Sequence, residues 1–195
     1  MLLKNRIIGL AAVGAAAAAL TVVPAAVAKA PAWSCDAPAQ QIFSPWKDNA
    51  LYQLVDDGTF EDGAGAWELS GSAKVVQDDD AGLVADDRYA LELGAGDSAV
   101  SPPICVTEAS ESFRFLSNVV AGGLKDENLQ VDVIYLRKKA HEFRLKVNGN
   151  RSAPVGKLKL SAGEFKQDAT VRLRFSAING ATVRIDDVYM DPRLH

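Results

Sequence analysis

Short apolar or alternating runs recur along the chain from residue 51 onward. Gly, Asp, Asn and Pro separate them, and no run after residue 30 keeps helical spacing for three turns. Evenly spaced short runs are typical of a β-sandwich or barrel. The predicted strands are 51–55, 66–69, 73–77, 89–93, 104–107, 113–120, 129–136, 143–147, 155–160, 171–178 and 181–190. We therefore expect an all-β domain over residues 50–195, folded as an antiparallel β-sandwich.

Residues 171–176 alternate strictly between apolar and polar side chains. Val171, Leu173 and Phe175 fall on one side of the predicted strand, and two arginines and a serine fall on the other. Because side chains alternate across a strand, this pattern predicts one buried face and one wet face.

Two Asn-Gly pairs predict tight turns. Asn179-Gly180 separates the last two runs, and Asn148-Gly149 lies between two earlier ones. Asn and Gly accept the positive φ angles of a two-residue turn, so the first pair predicts a β-hairpin.

The first 28 residues have the pattern of a secretory signal peptide. Lys4 and Arg6 precede an apolar stretch from Ile7 to Ala28, and small residues stand at 26 and 28. We expect cleavage after Ala28 and a secreted, extracellular domain with no further membrane span. The alternative is an uncleaved anchor, because the stretch is long enough to cross a bilayer of about 30 Å.

Residues 29–49 show neither strand nor helical periodicity and contain three prolines. They are predicted to form an irregular N-terminal segment. We expect Trp33, Phe43 and Trp46 to hold it against the domain.

The chain has two cysteines, Cys35 and Cys105, both after the predicted signal. An even pair in an exported chain most often forms a disulfide, so we expect a Cys35–Cys105 bridge. A free catalytic thiol is the alternative, but neither cysteine has a histidine near it in sequence.

Charge is distributed unevenly. Residues 31–110 carry fifteen acidic and three basic side chains, whereas residues 111–195 carry ten acidic and fifteen basic ones. The predicted mature domain is therefore acidic overall, which argues against general nucleic-acid binding.

Two motifs resemble a known family. Residues 54–67 read LVDDGTFEDGAGAW and residues 183–192 read VRIDDVYMDP. They are similar to the two ends of galactose-binding-like jelly rolls among carbohydrate-binding modules of families 4, 9 and 22. Residues 57–61 depart from the family's Asn-Gly-Asp-Phe-Glu turn at the Asn and the middle Asp. The resemblance implies a jelly-roll fold.

The resemblance also implies one structural calcium ion. Carried over to this chain, its ligands are Glu61, Asp186 or Asp187, and the carbonyl oxygen of Thr59. Period-two spacing places Asp187 on one face with Val183 and Ile185, where a carboxylate needs a partner. The alternative is that Asp187 bonds backbone amides or a basic side chain and that Glu61 is exposed.

Acidic residues at 78–80 and 86–87 form a second metal candidate. Their spacing does not fit an EF-hand loop, and a solvated acidic loop is the favoured interpretation.

Basic side chains alternate with apolar neighbours on several predicted strands, so we expect them to point away from the core. Arg presents a planar fork that suits carboxylates or phosphates, which makes an anionic polymer a candidate ligand. The alternative is a solvated sheet face on which cross-strand acids offset the bases. The set is Arg114, Arg144, Lys146, Arg172, Arg174 and Arg184. Aromatic candidates for stacking on sugars are Trp46, Tyr52, Tyr135 and Tyr189.

Histidine is nearly absent, with only His141 and His195, so nucleophilic catalysis has little support. A carboxylate pair for glycoside hydrolysis is harder to exclude, since acids abound. We expect a secreted, non-catalytic protein that binds carbohydrate or an anionic cell-surface polymer. The alternatives are a structural or adhesive protein with protein partners, or a glycan-active enzyme.

Overall fold

A computed structural model describes residues 38–78, 83, 87–106, 112–123, 127–135, 141–145, 155, 158–159 and 169–191. Of residues 141, 143–145, 158, 159 and 169, it describes the backbone alone. The predicted signal, Cys35 and the Asn148-Gly149 turn lie outside these ranges. No helix in the described part of the chain is long and apolar enough to cross a membrane.

The described residues form strands and one 3₁₀ turn, Ser44–Trp46. The strands are β1 (Ala39–Gln40), β2 (Tyr52–Leu54), β3 (Glu68–Ser70), β4 (Lys74–Gln77), β5 (Tyr89–Leu93), β6 (Ser98–Val100), β7 (Ile104–Val106), β8 (Ser112–Gly122), β9 (Leu129–Tyr135), β10 (His141–Leu145), β11 (Leu158–Lys159), β12 (Ala169–Ala177) and β13 (Ala181–Asp191).

These strands form two antiparallel sheets. Sheet I runs β1-β2-β13-β5-β4, with β8 paired to β13 and β11 paired to β8. Sheet II runs β10-β9-β12-β6-β3, with β7 also paired to β12. The long strands β13 and β12 therefore lie inside sheets I and II. The predicted β-sandwich is confirmed.

The core lies between the inner faces of the sheets. Val171, Leu173 and Phe175 are buried, Arg172 is half-buried and Arg174 is exposed, so the predicted alternation of β12 is confirmed. Trp67 packs between Phe60 and Phe175, with ring centroids 5.2 and 5.9 Å away. The aromatic residues of the first motif thus belong to the core.

Asn179 and Gly180 form the predicted turn, with φ angles of 54° and 76°. The amide of Ala181 donates to the carbonyl of Ile178 at 3.1 Å and closes the turn. The predicted hairpin is wrong, however, because β12 belongs to sheet II and β13 to sheet I. The turn instead carries the chain from one sheet of the sandwich to the other. Tertiary packing decides between these two outcomes, and the identity of two turn residues does not distinguish them.

Residues 39–49 form more regular structure than their composition predicts. Strand β1 pairs with β2. Phe43 packs edge-on against Tyr52 and Tyr189, with ring centroids 4.7 and 5.7 Å apart. Phe43 is fully buried and Trp46 packs beside this aromatic cluster, so both anchor the segment as expected. Residues 39–50, here called the strap, thereby cover part of the outer face of sheet I.

A β-bulge interrupts β13. Its register against β8 shifts between Asp186 and Tyr189, and Asp187 has a φ of 51°. Val188 therefore follows Ile185 into the core. The expectation that Asp187 shares the face of Ile185 is wrong, because the extra residue at the bulge breaks the period of two.

Candidate functional site

The outer face of sheet I is largely covered. The strap lies over one part of it, and Leu83 packs against the aromatic cluster of Phe43, Tyr52 and Tyr189. As a result, outward-facing positions such as Leu116 have almost no exposure. In the described part of the chain, this face offers little room for a ligand.

The outer face of sheet II is polar. Cross-strand register aligns its outward side chains in rows that cross five strands, a width of about 19 Å at the usual strand spacing. Side chains of the second row are half-buried or exposed where they are described. From β3 to β10, one row is Glu68, Val100, Arg174, Asp132 and Glu142, and the next is Ser70, Ser98, Ser176 and Gln130, where the backbone of residue 144 continues the register on β10.

An ion pair lies at the centre of this face. Arg174 donates from Nε and Nη2 to Oδ2 of Asp132 at 2.9 and 2.6 Å. Gln130 donates from Nε2 to Oδ1 of the same carboxylate at 3.1 Å. The Asp132 side chain is only 3% exposed, whereas that of Arg174 is 44% exposed. The carboxylate is thus enclosed and the guanidinium remains accessible.

Arg172 and Arg184 also meet carboxylates. Arg172 pairs with Glu68 at 2.8 Å and donates to the carbonyl of Ser101 at 2.7 Å. On sheet I, Arg184 pairs with Glu92 at 3.0 Å. The candidate arginines do not form one surface, because sheet II carries Arg144, Arg172 and Arg174 and sheet I carries Arg114 and Arg184. The side chains of Arg144 and Lys146 lie outside the described residues.

Arg114 is buried, contrary to expectation. Its guanidinium lies 4.6 Å from the ring centroid of Phe43 and 2.8 Å from Asp48, and its Nε donates to the carbonyl of Val155. It does point away from the core, but the strap covers it. The alternation of β8 predicted its face correctly, while the sequence carried no signal that another segment lies on that face.

Three carboxylates converge at the β13 bulge. Asp87, Asp186 and Asp187 each offer an oxygen, and these oxygens lie within 4.8 Å of one another. Asp186 and Asp187 are fully buried, and Asp187 accepts from the amide of Leu83 at 2.6 Å. The strands β2 and β5 both pair with β13, on either side of this point. The bulge thus lies where the two ends of the domain meet.

Glu61 is not in this group of three. Its Oε1 accepts from the amides of Arg88 and Tyr89, both at 2.7 Å. Burial by itself would raise the Glu61 pKa, but these hydrogen bonds outweigh it and the pKa is lowered. Glu61 therefore holds the residues that directly follow Asp87. Thr59 lies in the adjacent turn, where the Val188 amide donates to the Gly58 carbonyl at 3.0 Å.

The two metal candidates of the sequence are thus one place in the fold. Asp87 comes from the acidic stretch that was expected to be a solvated loop, and Asp186 and Asp187 come from the closing motif. Asp78 of the same stretch is also buried, 3.4 Å from Arg184. Asp79, Asp80 and Asp86 lie outside the described residues. Nothing in the sequence links residue 87 to residue 187, because sheet pairing alone brings them together.

Three of the four aromatic candidates are buried. Tyr52, Tyr135 and Tyr189 have little or no exposed surface, and Trp46 is half-buried. Desolvation by burial raises the pKa of both Tyr52 and Tyr189. Tyr89, which the sequence did not single out, is 37% exposed at the start of β5. Aromatic stacking on the outer face of sheet II therefore has no support among the described residues.

No protein-family model matches the chain. No curated protein matches it either. Among solved structures, the enzymatically active domain of bacteriophage CBA120 tailspike protein 4 matches with a TM-score of 0.50 and 12% identity. The match covers 69% of this chain and 20% of that one. The fold is a jelly-roll-like β-sandwich.

Carbohydrate-binding modules are also among the structures that this sandwich resembles, as its two end motifs predicted. TmCBM61, solved with β-1,4-galactotriose, has a TM-score of 0.46 and 17% identity over 70% of this chain and 96% of that one. The CBM22-1–GH10 modules of Clostridium thermocellum xylanase 10B were solved with xylohexaose. They match with a TM-score of 0.49 and 14% identity over 70% of this chain and 28% of that one. At these identities the likeness is one of fold.

Proposed function

We propose that this protein is a secreted, non-catalytic module that binds polysaccharide on the outer face of sheet II. The observation that carries the proposal is the pair of polar rows across β3, β6, β12, β9 and β10. Carboxylate, guanidinium, amide and hydroxyl groups on one surface supply both donors and acceptors. Sugar hydroxyls need both, and the opposite outer face is largely covered.

The rows also suit an extended chain. Ser98 and Ser176 are small and half-buried, and the larger side chains of Arg174 and Asp132 stand in the neighbouring row. A ligand lying along the serines would meet the charged row on one side. The proposal therefore favours a linear polymer over a single sugar.

Affinity electrophoresis and calorimetry on β-1,4-galactan and xylan test the proposal. The Ser176→Leu variant places a branched side chain in the second row and should weaken binding about tenfold, or 1.4 kcal/mol. Gln77→Leu makes a similar change at an exposed position of sheet I and should leave binding unchanged. Equal binding by both variants, or no binding to any polysaccharide by the wild type, contradicts the proposal.

We also propose a structural calcium ion at Asp87, Asp186 and Asp187. Calcium is a hard cation that takes roughly six to eight oxygen ligands, and three carboxylates supply part of such a set. Their convergence costs stability through mutual repulsion, which a divalent cation would relieve. The donor chemistry fits calcium, although the carried-over ligand Glu61 is replaced by Asp87. The ion would join the segment before β5 to the bulge of β13.

Thermal melts with calcium and with chelator test this site. Binding to the folded state alone would add about 2.7 kcal/mol at a hundredfold excess of free ion over the dissociation constant. Asp87→Asn should abolish that shift, while Asp62→Asn, at an exposed position next to Glu61, should keep it. Identical wild-type melting midpoints with calcium and with chelator would contradict the calcium site.

A further inference from the structure

Asp132 occupies an unusual position for a surface-facing carboxylate. It points outward from β9, since its neighbours Val131 and Val133 lie in the core, yet its side chain is almost completely enclosed. Both of its oxygens accept hydrogen bonds, one from Gln130 and the other twice from Arg174. Two donors of the guanidinium are thus engaged by one oxygen of a carboxylate that belongs to the protein itself.

The described charged side chains of this face carry no excess of positive charge. Strand register places Arg172 and Arg174 on it with Glu68, Asp132 and Glu142, so these side chains give an approaching polymer no net positive field. Arg174 lies opposite Asp132, and Glu142 lies opposite Asp132 from the other side.

We propose that Asp132 is a specificity-determining residue, which serves as an internal counter-ion for Arg174 and directs the face toward neutral rather than acidic polysaccharides. The inference rests on the proposed function of sheet II. A ligand carboxylate that accepted a hydrogen bond from Arg174 would find its positive charge already offset and would lie beside the negative charge of Asp132. A neutral hydroxyl meets no such repulsion and can accept from the exposed edge of the guanidinium.

Polymers that differ only in charge distinguish the proposed role of Asp132 from sugar binding in general. Xylan and β-1,4-galactan are each compared with their carboxymethylated forms, which share the backbone and add negative charge. Wild type should bind the neutral form more tightly. Asp132→Asn should tighten binding of the carboxymethylated form about fivefold, because it releases an accessible Arg174, and added salt should reduce that gain.

Two controls assign the gain to the ion pair. Glu142→Gln removes one negative charge from the same face, directly opposite Asp132, but leaves the Asp132–Arg174 bonds in place. Because it frees no arginine, it should tighten binding of the carboxymethylated form clearly less than Asp132→Asn does. The double variant Asp132→Asn with Arg174→Gln should lose the gain. An equal gain in Glu142→Gln would show a general field effect and overturn the proposal.

Folding of the variants is checked by their melting midpoints. If Asp132→Asn does not fold, Arg174→Gln alone tests the proposal. It leaves the Asp132 carboxylate facing the ligand, so it should weaken binding of the carboxymethylated polymer more than binding of the neutral one. If the wild type binds the carboxymethylated form more tightly than the neutral form, the proposed role of Asp132 is wrong, although the proposed function in polysaccharide binding is supported. Failure of both forms to bind instead overturns the proposed function.

Discussion

A single glycine shows how closely the two ends of the domain approach. A Cβ atom on Gly58 would lie 2.7 Å from the carbonyl oxygen of Val55 and 2.9 Å from that of Val188. Both neighbours are backbone atoms, which cannot move aside as a flexible side chain can. Gly58→Ala should therefore destabilise the protein by about 2 kcal/mol or more in denaturant unfolding.

Gly65 provides the matched control for that prediction. A Cβ atom there would meet only Asp57, at 4.0 Å, and Gly65 does not have a positive φ. Gly65→Ala should be neutral or slightly stabilising, because it restricts the unfolded chain. Similar losses from both alanine substitutions would refute the close-approach argument.

Glu61 should stabilise the fold through its backbone hydrogen bonds whether or not calcium is present. Its lowered pKa means that this contribution is complete above the ordinary Glu value of about 4.3 and is lost as the pH falls through the folded-state value. Glu61→Ala should cost about 1 kcal/mol at pH 7 in chelator. Urea unfolding at pH 7 and pH 3 checks it, and a cost that appears only with calcium would make Glu61 a ligand instead.

At the scale of the element, the alternation of β12 predicts opposite results at adjacent positions. Leu173 is fully buried, so Leu173→Asp places an unpaired charge in the core and should prevent folding. Arg172→Ala removes a partly accessible side chain and should cost about 1 kcal/mol. Arg174→Ala also leaves the enclosed Asp132 carboxylate without its cation and should cost about 2 kcal/mol, but the domain should still fold. Circular-dichroism melts compare them, and a harmless Leu173→Asp would mean that the strand register is wrong.

The strands themselves were largely predictable from the sequence. β5 has its predicted bounds, and β12 and β13 differ from theirs by one or two residues. The apolar positions of β5, β12 and the part of β13 before its bulge keep a clear period of two. β6 was missed, since it spans three residues and only Ala99 among them enters the core. The bulge at Asp187 was missed for a different reason, because an inserted residue leaves the composition of a strand unchanged.

At the scale of the whole molecule, the predicted disulfide would fasten the chain before the strap to β7. No cysteine among the described residues is free, and Cys105 lies in the middle of β7, but Cys35 is outside them, so the bridge stays a prediction. Closing a loop of about seventy residues is worth roughly 4 kcal/mol in the chain-entropy model. Mass spectrometry of the unreduced protein should find no alkylatable thiol, and two modified cysteines would disprove the bridge.

The candidate sites were predictable only in part. The closing motif supplied Asp186 and Asp187, and alternation supplied the outward direction of Arg172 and Arg174. Their partners, Asp87 in one case and Asp132 in the other, come from distant strands or loops. Which residues become partners depends on long-range strand pairing, and that pairing cannot be read from a single sequence.

The turn at Asn179 and Gly180 has a consequence for the order in which the protein can assemble. Residues 169–191 supply a strand inside each sheet, β12 on one side of the sandwich and β13 on the other. Until a ribosome has made both, β2 and β5 lack their shared neighbour β13, and β6 and β9 lack their shared neighbour β12. Folding must therefore wait for the late part of the chain, and most native contacts must close large loops, which makes folding slow. If the first 28 residues act as the signal that their pattern predicts, this delay would keep the chain unfolded while it passes through an export channel.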